Sequence, residues 1–245
     1  VLTTAVTTSL ISDIAASFGL TPRDDLLVGF KFIAEIIEGL DDTSRFVFAA
    51  EESLGYLAGG FVRDKDAAIA SLLVCEMASW LRDRDETVIQ YIDELYREYG
   101  YYKNAQYLVA LPGKGGRDVM EACMIYLRAH PPSELAGISV TEISDLLDES
   151  MSDPESYSMG GSTDVVRLYL SEDHRTRVTV RPSGTEPKLK VYVQHRSTVG
   201  DSLDVAKAQG DAVAASLGEA ILEHCRSGLA GTLRLDWDRS TRRTI

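Results

Sequence analysis

Between Val178 and Val193 the sequence reads VTVRPSGTEPKLKVYV, two runs that alternate like β-strands around a seven-residue connection, Arg181 to Pro187. A tight hairpin needs only about two residues there, typically Asn-Gly. Successive side chains of a strand point to opposite faces. Val178 and Val180 therefore face one way and Arg177, Thr179 and Arg181 the other. On the return run Leu189, Val191 and Val193 point inward, and Lys188, Lys190 and Tyr192 outward. The polar face leaves Arg181, crosses Ser183, Gly184 and Thr185, and resumes at Lys188 and Lys190. Each piece suits a phosphate. The Arg fork bonds two oxygens at once, hydroxyls donate further bonds, and Gly lets backbone N–H groups come close. Pro182 and Pro187 reduce the entropy lost when such a loop is ordered. The same composition also fits a plain hairpin with solvated charges.

A second stretch, AAEESLGYLAGGFVRDKDA, begins where a short buried strand is expected to end at Ala50. Glu51, Glu52 and Ser53 then fall where α/β sheets place ligands, outside the carboxyl ends of strands. Carboxylates and a hydroxyl can serve sugar hydroxyls, and a solvated turn is the plainer alternative. Glu51 and Glu52 as a glycosidase pair is a weaker reading, because sequence neighbours are poorly placed to flank one glycosidic bond. In RDKDA, Asp64 and Asp66 can cap the following helix, whereas Lys65 opposes its positive end. A phosphate or sugar oxygen at that helix start would give Lys65 a reason. LPGKGGRD lacks the G-x-x-x-x-G-K-[ST] spacing and reads as the turn before a helix.

These groups need a scaffold, and the periodicities supply one. Val1–Thr7 reads as a strand, followed by a helix capped by Ser9 with Leu10, Ile11, Ile14, Ala15 and Phe18 at helical spacing. GFKFIAEIIEGL puts Ile33, Ile36, Ile37 and Leu40 on one helical face. RFVFAA reads as a short buried strand, and DAAIASLLVCEMASWL as a helix apolar nearly all round and so packed on both sides. ETVIQYIDELYREYG is amphipathic, with Val88, Ile92, Leu95, Tyr96 and Tyr99 inward. Alternating strands and helices predict a three-layer α/β domain over residues 1–100 with a mixed or mostly parallel sheet. From residue 101 to 245 the order changes to an α+β domain, an antiparallel sheet packed on helices. Its elements are YYKNAQYLVAL, the helix GGRDVMEACMIYLRAH, one strand in ISVTEISDLLD, strands near Val165–Leu170 and Arg177–Val180, and a helix from about Leu203 to Cys225.

Composition narrows the classes. A formal net charge of −13 argues against nonspecific nucleic-acid or anionic-membrane binding, which reward clustered Lys and Arg. No apolar run is long enough to span a bilayer. Cys75, Cys123 and Cys225 are widely spaced and read as reduced thiols in helix cores, hence a cytoplasmic setting. The four His share no metal-ligand spacing and read as surface residues. The opening VLTTAVTTS, strand-like and without Met, reads as the cut edge of a longer protein.

Taken together, VGFKFI, EESLG, RDKDA and RPSGTEPKLKVYV resemble, in order and separation, segments of the α-D-phosphohexomutases, the family of phosphoglucomutase and phosphomannomutase. The combination is most similar to the phosphoglucomutase/phosphopentomutase branch. The resemblance implies the third and fourth domains of a four-domain isomerase that moves a phosphoryl group between the anomeric and a primary hydroxyl of a sugar. In such enzymes a phosphoserine of domain one donates the group through a sugar bisphosphate, and magnesium is held by an Asp-rich loop of domain two. Neither a T-A-S-H-N-P-like nor a D-x-D-x-D-R-like segment occurs in this sequence. It follows as an expectation that the chain alone is inactive, that its partners are a sugar phosphate and N-terminal domains of the same polypeptide, and that it holds no metal. The resemblance assigns Glu51 and Ser53 to sugar hydroxyls, and Lys31, Arg63 and Lys65 to the sugar side, Lys65 as a possible assisting residue. Arg181, Ser183, Gly184 and Thr185 take the non-transferring phosphate, with Lys190 in support. A noncatalytic sugar-phosphate binding module is the alternative.

Overall fold

The computed structural model describes residues 1–111, 115–147, 163–184, 186–229 and 241–243. These separate into two compact units that divide after Gly100. In the first unit the elements run β1 (Leu2–Thr4), α1 (Leu10–Ser17), β2 (Arg23–Leu26), α2 (Phe30–Glu38), a 3₁₀ turn (Thr43–Arg45), β3 (Phe48–Glu51), β4 (Gly55–Ala58), α3 (Ala67–Arg82) and α4 (Val88–Tyr99). Its four-stranded sheet has the order β2-β1-β3-β4. β1 pairs parallel with β2 and β3, while β3 and β4 form an antiparallel hairpin, so the sheet is mixed. The core gathers Leu2, Leu26, Phe30, Ile33, Ile37, Phe46, Ala49 and Leu57, with Ile36 and Leu40 at its margin. The Ile stripe of α2 thus packs as its spacing predicts.

Several expectations for this unit are corrected. The first strand ends at Thr4 and not Thr7, because the chain turns there and Thr4 and Thr7 join hydroxyls at 2.8 Å. Ser9 precedes α1 in a helical conformation and makes no side-chain cap. Phe18 lies past the end of α1 and is exposed. The strand β3 starts at Phe48 and reaches Glu51, and GYLA pairs back on it as β4, too short to announce itself by alternation. Helix α3, expected to be packed on both sides, has one buried residue, Leu81, while Leu72, Leu73, Val74 and Trp80 are exposed. Cys75 on the same helix is exposed. No residue of α4 is buried and Ile92 is exposed, yet a Thr87–Gln90 capping box closes its start.

The second unit contains β5 (Tyr101–Ala110), α5 (Gly116–Ala129), the short strands β6 (Glu134–Leu135) and β7 (Ile138–Ser139), β8 (Glu142–Asp145), β9 (Val166–Tyr169), β10 (Arg177–Pro182), β11 (Lys188–Ser197), α6 (Leu203–Leu229) and β12 (Thr241–Arg243). Six strands form one sheet in the order β12-β5-β11-β10-β9-β8, every pairing antiparallel. ISVTEISDLLD is not one strand: Ile138–Ser139 belongs to a separate small hairpin and Glu142–Asp145 to the main sheet. Val166, Leu168, Val178, Val180, Leu189, Val191 and Val193 join Val119, Cys123, Met124 and Leu127 of α5 and Ala214, Leu217, Ile221 and Cys225 of α6 in one core. The apolar residues of α6 recur every three or four positions, which turns one stripe to the sheet. The other sheet face is less wet than alternation suggests, since Arg167, Arg177, Thr179 and Tyr192 are buried too.

Candidate functional sites

Each unit carries one candidate site. In the first, Glu51 ends β3 and Gly55 opens β4 directly opposite it. The three residues between form the hairpin tip, with Ser53 exposed and Leu54 at φ 63°. A left-handed third position is what a three-residue hairpin loop uses. Leu54 pays no obvious packing return there, being 80% exposed, and the strain is of order 1–3 kcal/mol.

Glu51 is buried, and its Oε1 accepts the Gly29 N–H at 2.9 Å, joining the hairpin to the start of α2. Its other oxygen lies beside Gly55: a Cβ there would sit 3.0 Å from Glu51 Oε2 and 2.7 Å from Lys65 Cδ. The absence of a side chain at Gly55 is what lets Lys65 arch past the carboxylate. Lys65 Nζ stands 5.2 Å from the centre of the Phe30 ring, and Lys31 Nζ 4.7 Å from that of Phe32. Lys31, Arg63 and Lys65 line one open cavity of about 740 Å³ together with Phe30, Glu35, Glu38 and Asp64. Of the residues expected on the sugar side, the fold therefore unites these three. Glu51 supports them from behind through Gly55, and Ser53 stands apart on the hairpin tip.

The charges of this cavity are partly neutralised already. Arg63 Nε donates to Glu38 at 2.7 Å and Lys65 Nζ to Asp64 at 2.8 Å. The Lys65 bond, aided by its backbone N–H, holds the Asp64 carboxyl below its usual range. Asp66, not Asp64, caps α3 by accepting from Ala68 and Ile69 N–H groups. Lys65 lies before that cap, so it does not sit in the first helical turn, and a ligand is not needed to explain it.

In the second unit Arg181 and Pro182 complete β10, so the connection to β11 is Ser183–Pro187, shorter than expected. The Ser183 N–H donates to Lys188 O at 2.8 Å and closes the turn. Arg181 stands directly opposite Lys190 in the β10–β11 register. Two like charges facing each other across strands are unfavourable in the absence of a counter-charge. Neither side chain makes a hydrogen bond or ion pair with another described residue. Lys188, by contrast, is paired with Glu186 at 2.9 Å. Arg181, Pro182, Ser183 and Gly184 line a cavity of about 440 Å³ with Arg117, Met120 and Glu121 of α5 and Thr163 and Asp164. Thr185 lies outside the described residues, as do Pro112, Gly113 and Lys114 of LPGKGGRD.

Asp164 is held by Arg128, which donates to it at 2.7 Å and to Asp145 at 2.7 and 3.0 Å. Burial would lower the pKa of the Arg128 guanidinium, but these carboxylates outweigh it and raise it. Reading the sequence missed Arg117, Glu121 and Asp164. Only tertiary packing brings α5 and the residues before β9 to the loop, though GGRD at a helix start is a visible signal for Arg117.

The His residues are not uniformly surface groups. His195 accepts or donates a 3.0 Å bond with Thr176 Oγ1, and burial lowers its pKa. His174 stacks on Tyr169 with ring centres 3.9 Å apart and bonds Glu142. Cys123 and Cys225 are neighbours in the core, where their mutual bond and then burial push the Cys225 thiol well up. Among the described residues no group of three or more His, Cys, Asp or Glu is placed to hold a metal ion.

Comparison with known proteins identifies the family. The family profile described as "Phosphoglucomutase/phosphomannomutase, alpha/beta/alpha domain III" matches residues 1–99, and "Phosphoglucomutase/phosphomannomutase, C-terminal domain" matches residues 161–201. Phosphoglucomutase of Staphylococcus aureus strain N315 is 33% identical over 193 residues, 77% of this chain and 34% of that protein. The protein of strain MRSA252 matches with the same identity and coverage. The chain thus spans about a third of the length of the curated relatives it matches. Among solved structures, the open form of parafusin, a phosphoglucomutase of Paramecium, aligns with a TM-score of 0.60 at 17% identity. That alignment covers 91% of this chain and 38% of the other and supports the fold. The chain belongs to the phosphoglucomutase/phosphomannomutase family and carries that family's third and C-terminal domains.

Proposed function

We propose that this chain supplies the sugar- and phosphate-gripping part of a phosphohexomutase that interconverts sugar 1-phosphate and sugar 6-phosphate, or pentose 1- and 5-phosphate. The observation that carries this reading is the facing pair Arg181 and Lys190, neither of them in an ion pair with a described residue, beside the Ser183–Gly184 turn. An anion placed between them turns a repulsion into two charge-assisted bonds. In this reading Arg181, Ser183, Gly184 and Thr185 hold the phosphate that is not being transferred, with Lys190 in support. Glu51, with one oxygen committed to Gly29, offers the other to a sugar hydroxyl or steers Lys65. Ser53 reaches sugar hydroxyls from the hairpin tip, while Lys31, Arg63 and Lys65 serve the sugar side of their cavity.

The division of labour has a physical logic. Binding energy from a phosphate remote from the reacting oxygen positions the reacting end and lowers the entropic part of the barrier. The phosphoserine donor is assigned to N-terminal domains of the same polypeptide, and the sugar bisphosphate is the intermediate and activator. Magnesium, also assigned there, would neutralise charge at the transferring phosphoryl. The 245-residue chain alone is then a binder without mutase activity. The net charge of −13 supports a small-molecule partner in preference to nucleic acid or an anionic membrane. No helix among the described residues is long and apolar enough to cross a membrane, and a cytoplasmic enzyme is the proposed setting.

Calorimetric titration of the chain with glucose 1-phosphate and ribose 5-phosphate, beside Arg181→Ala, tests the reading. A bidentate charged contact predicts at least about a tenfold loss of affinity in the variant, since bonds to charged groups contribute roughly 1.5–3 kcal/mol. Equal binding by both proteins would sink it. Sustained turnover by the purified chain, with contaminating mutase excluded, would overturn the assignment of chemistry to other domains.

A further inference from the structure

Arg117, on the first turn of α5, lines the same cavity of about 440 Å³ as Arg181, Ser183 and Gly184. We propose that Arg117 is a second phosphate-gripping guanidinium, acting from the wall of the cavity that faces the loop. The proposal rests on the phosphate reading of the Arg181 loop and extends it to a residue of a different element.

Helix α5 is seated on the base of the loop by Gly116: a Cβ there would lie 1.8 Å from Leu111 O and 3.2 Å from Pro187 Cβ. Leu111 in turn donates its N–H to Pro187 O at 2.9 Å. The residue after Gly116 is thus delivered to the loop by close backbone packing at both ends, whereas an arginine on a distant surface would have to find it by chance. Val119, Cys123 and Leu127 bury another face of α5 and keep the helix from rotating.

Arg117 is exposed and its side chain makes no hydrogen bond or ion pair with any described residue, although Asp118 is adjacent and Glu121 follows at helical spacing. Arg181 shares that condition. The carboxylates lining the cavity do not cancel the two guanidiniums equally: Asp164 is already engaged by Arg128 at 2.7 Å, which leaves Glu121 as the opposing charge. A planar five-donor fork is well matched to phosphate oxygens, and two forks from separate elements would set its orientation as well as its affinity. A ligand that must be held by its distal phosphate in two alternative sugar orientations benefits from such a grip.

The experiment titrates glucose 1-phosphate, and separately inorganic phosphate, into the 245-residue chain and into Arg117→Ala, Arg117→Lys, Glu121→Gln and Arg181→Ala variants. Arg117 and Glu121 are both exposed, so the variants retain the folded core, and unchanged thermal melts will verify it. The expected result is a fivefold to tenfold loss of affinity for both probes in Arg117→Ala and a smaller loss in Arg117→Lys. Glu121→Gln is expected to tighten binding about twofold. Loss in Arg181→Ala with wild-type affinity in Arg117→Ala overturns the role of Arg117 and leaves the loop reading standing. Wild-type affinity in both variants, or no binding by the parent chain, overturns the loop reading and this inference with it.

Discussion

The two candidate sites differ in how their charge is held. In the first unit two of the three cations of the cavity arrive paired, Arg63 with Glu38 and Lys65 with Asp64, and the buried Glu51 carboxylate accepts the Gly29 N–H. In the second unit Arg181 and Lys190 face each other, and neither they nor Arg117 form an ion pair with a described residue, although Glu121 and Asp164 line the cavity of Arg117 and Arg181. A preneutralised cavity must exchange one partner for another when a ligand enters, which limits the net gain. A cavity whose cations form no ion pair keeps more of the new interaction. The difference is consistent with the proposed division, in which a neutral, hydroxyl-rich sugar meets the first site and a dianionic phosphate the second.

The largest effect that can break this comparison comes from the glycines that shape the two sites. Gly116→Ala places a methyl group against a backbone carbonyl, so α5 must shift. A loss of about 2–4 kcal/mol in the unfolding of the second unit is expected. Gly55→Ala meets the flexible Lys65 side chain first, and its stability cost is expected to be smaller by roughly 1–2 kcal/mol. Denaturant unfolding of both variants, followed by probes in each unit, checks the order. Equal costs would mean that α5 is not seated through Gly116.

A middle-sized effect concerns the paired lysine. Asp64→Asn leaves an oxygen for the Lys65 backbone N–H but removes the charge that holds Nζ. Exposed pairs contribute about 0–1 kcal/mol, so affinity for glucose 1-phosphate should rise by up to about fivefold. No change on titration would show that pairing is not what restrains the first site.

The smallest effect separates the units by pH. All four His lie beyond residue 100, and burial depresses the pKa of His195. An unfolded His takes up a proton near pH 6.5 while the folded one resists it. The unfolded state then binds more protons, so stability is lost as the pH falls through about 6.5 and levels off below the depressed folded value. Thermal melts between pH 7.5 and 5 should show this in the second unit, with a weaker slope in His195→Gln. An identical slope in that variant would remove His195 as the cause.

How much was legible follows the range of each signal. The strand pair around RPSGTEPK, the Ile stripe of α2 and the long α6 were readable because local periodicity decides them. The hairpin strand β4 was not, since GYLA is too short to alternate visibly and is made a strand by its register with β3. Helix α3 misled in the other direction: its composition demanded packing that the described residues do not supply. Arg181, Ser183 and Gly184 were found as one group because they are contiguous. Arg117 and Asp164 were invisible as partners of that group because the chain reaches them from elements far apart in sequence.

By itself, then, the sequence determined the local devices: alternating strands, amphipathic helices, a loop stocked with phosphate-binding groups and a hairpin stocked with carboxylates. These depend on neighbours within a few residues, where φ/ψ preference and side-chain period act directly. Tertiary structure alone decided which charges meet. Glu51 was buried with one oxygen on the Gly29 N–H, Lys65 was given to Asp64, and Arg181 was set against Lys190. Coulombic and hydrogen-bond partners are chosen by distance in space, and distance in space follows from packing the cores of the two units.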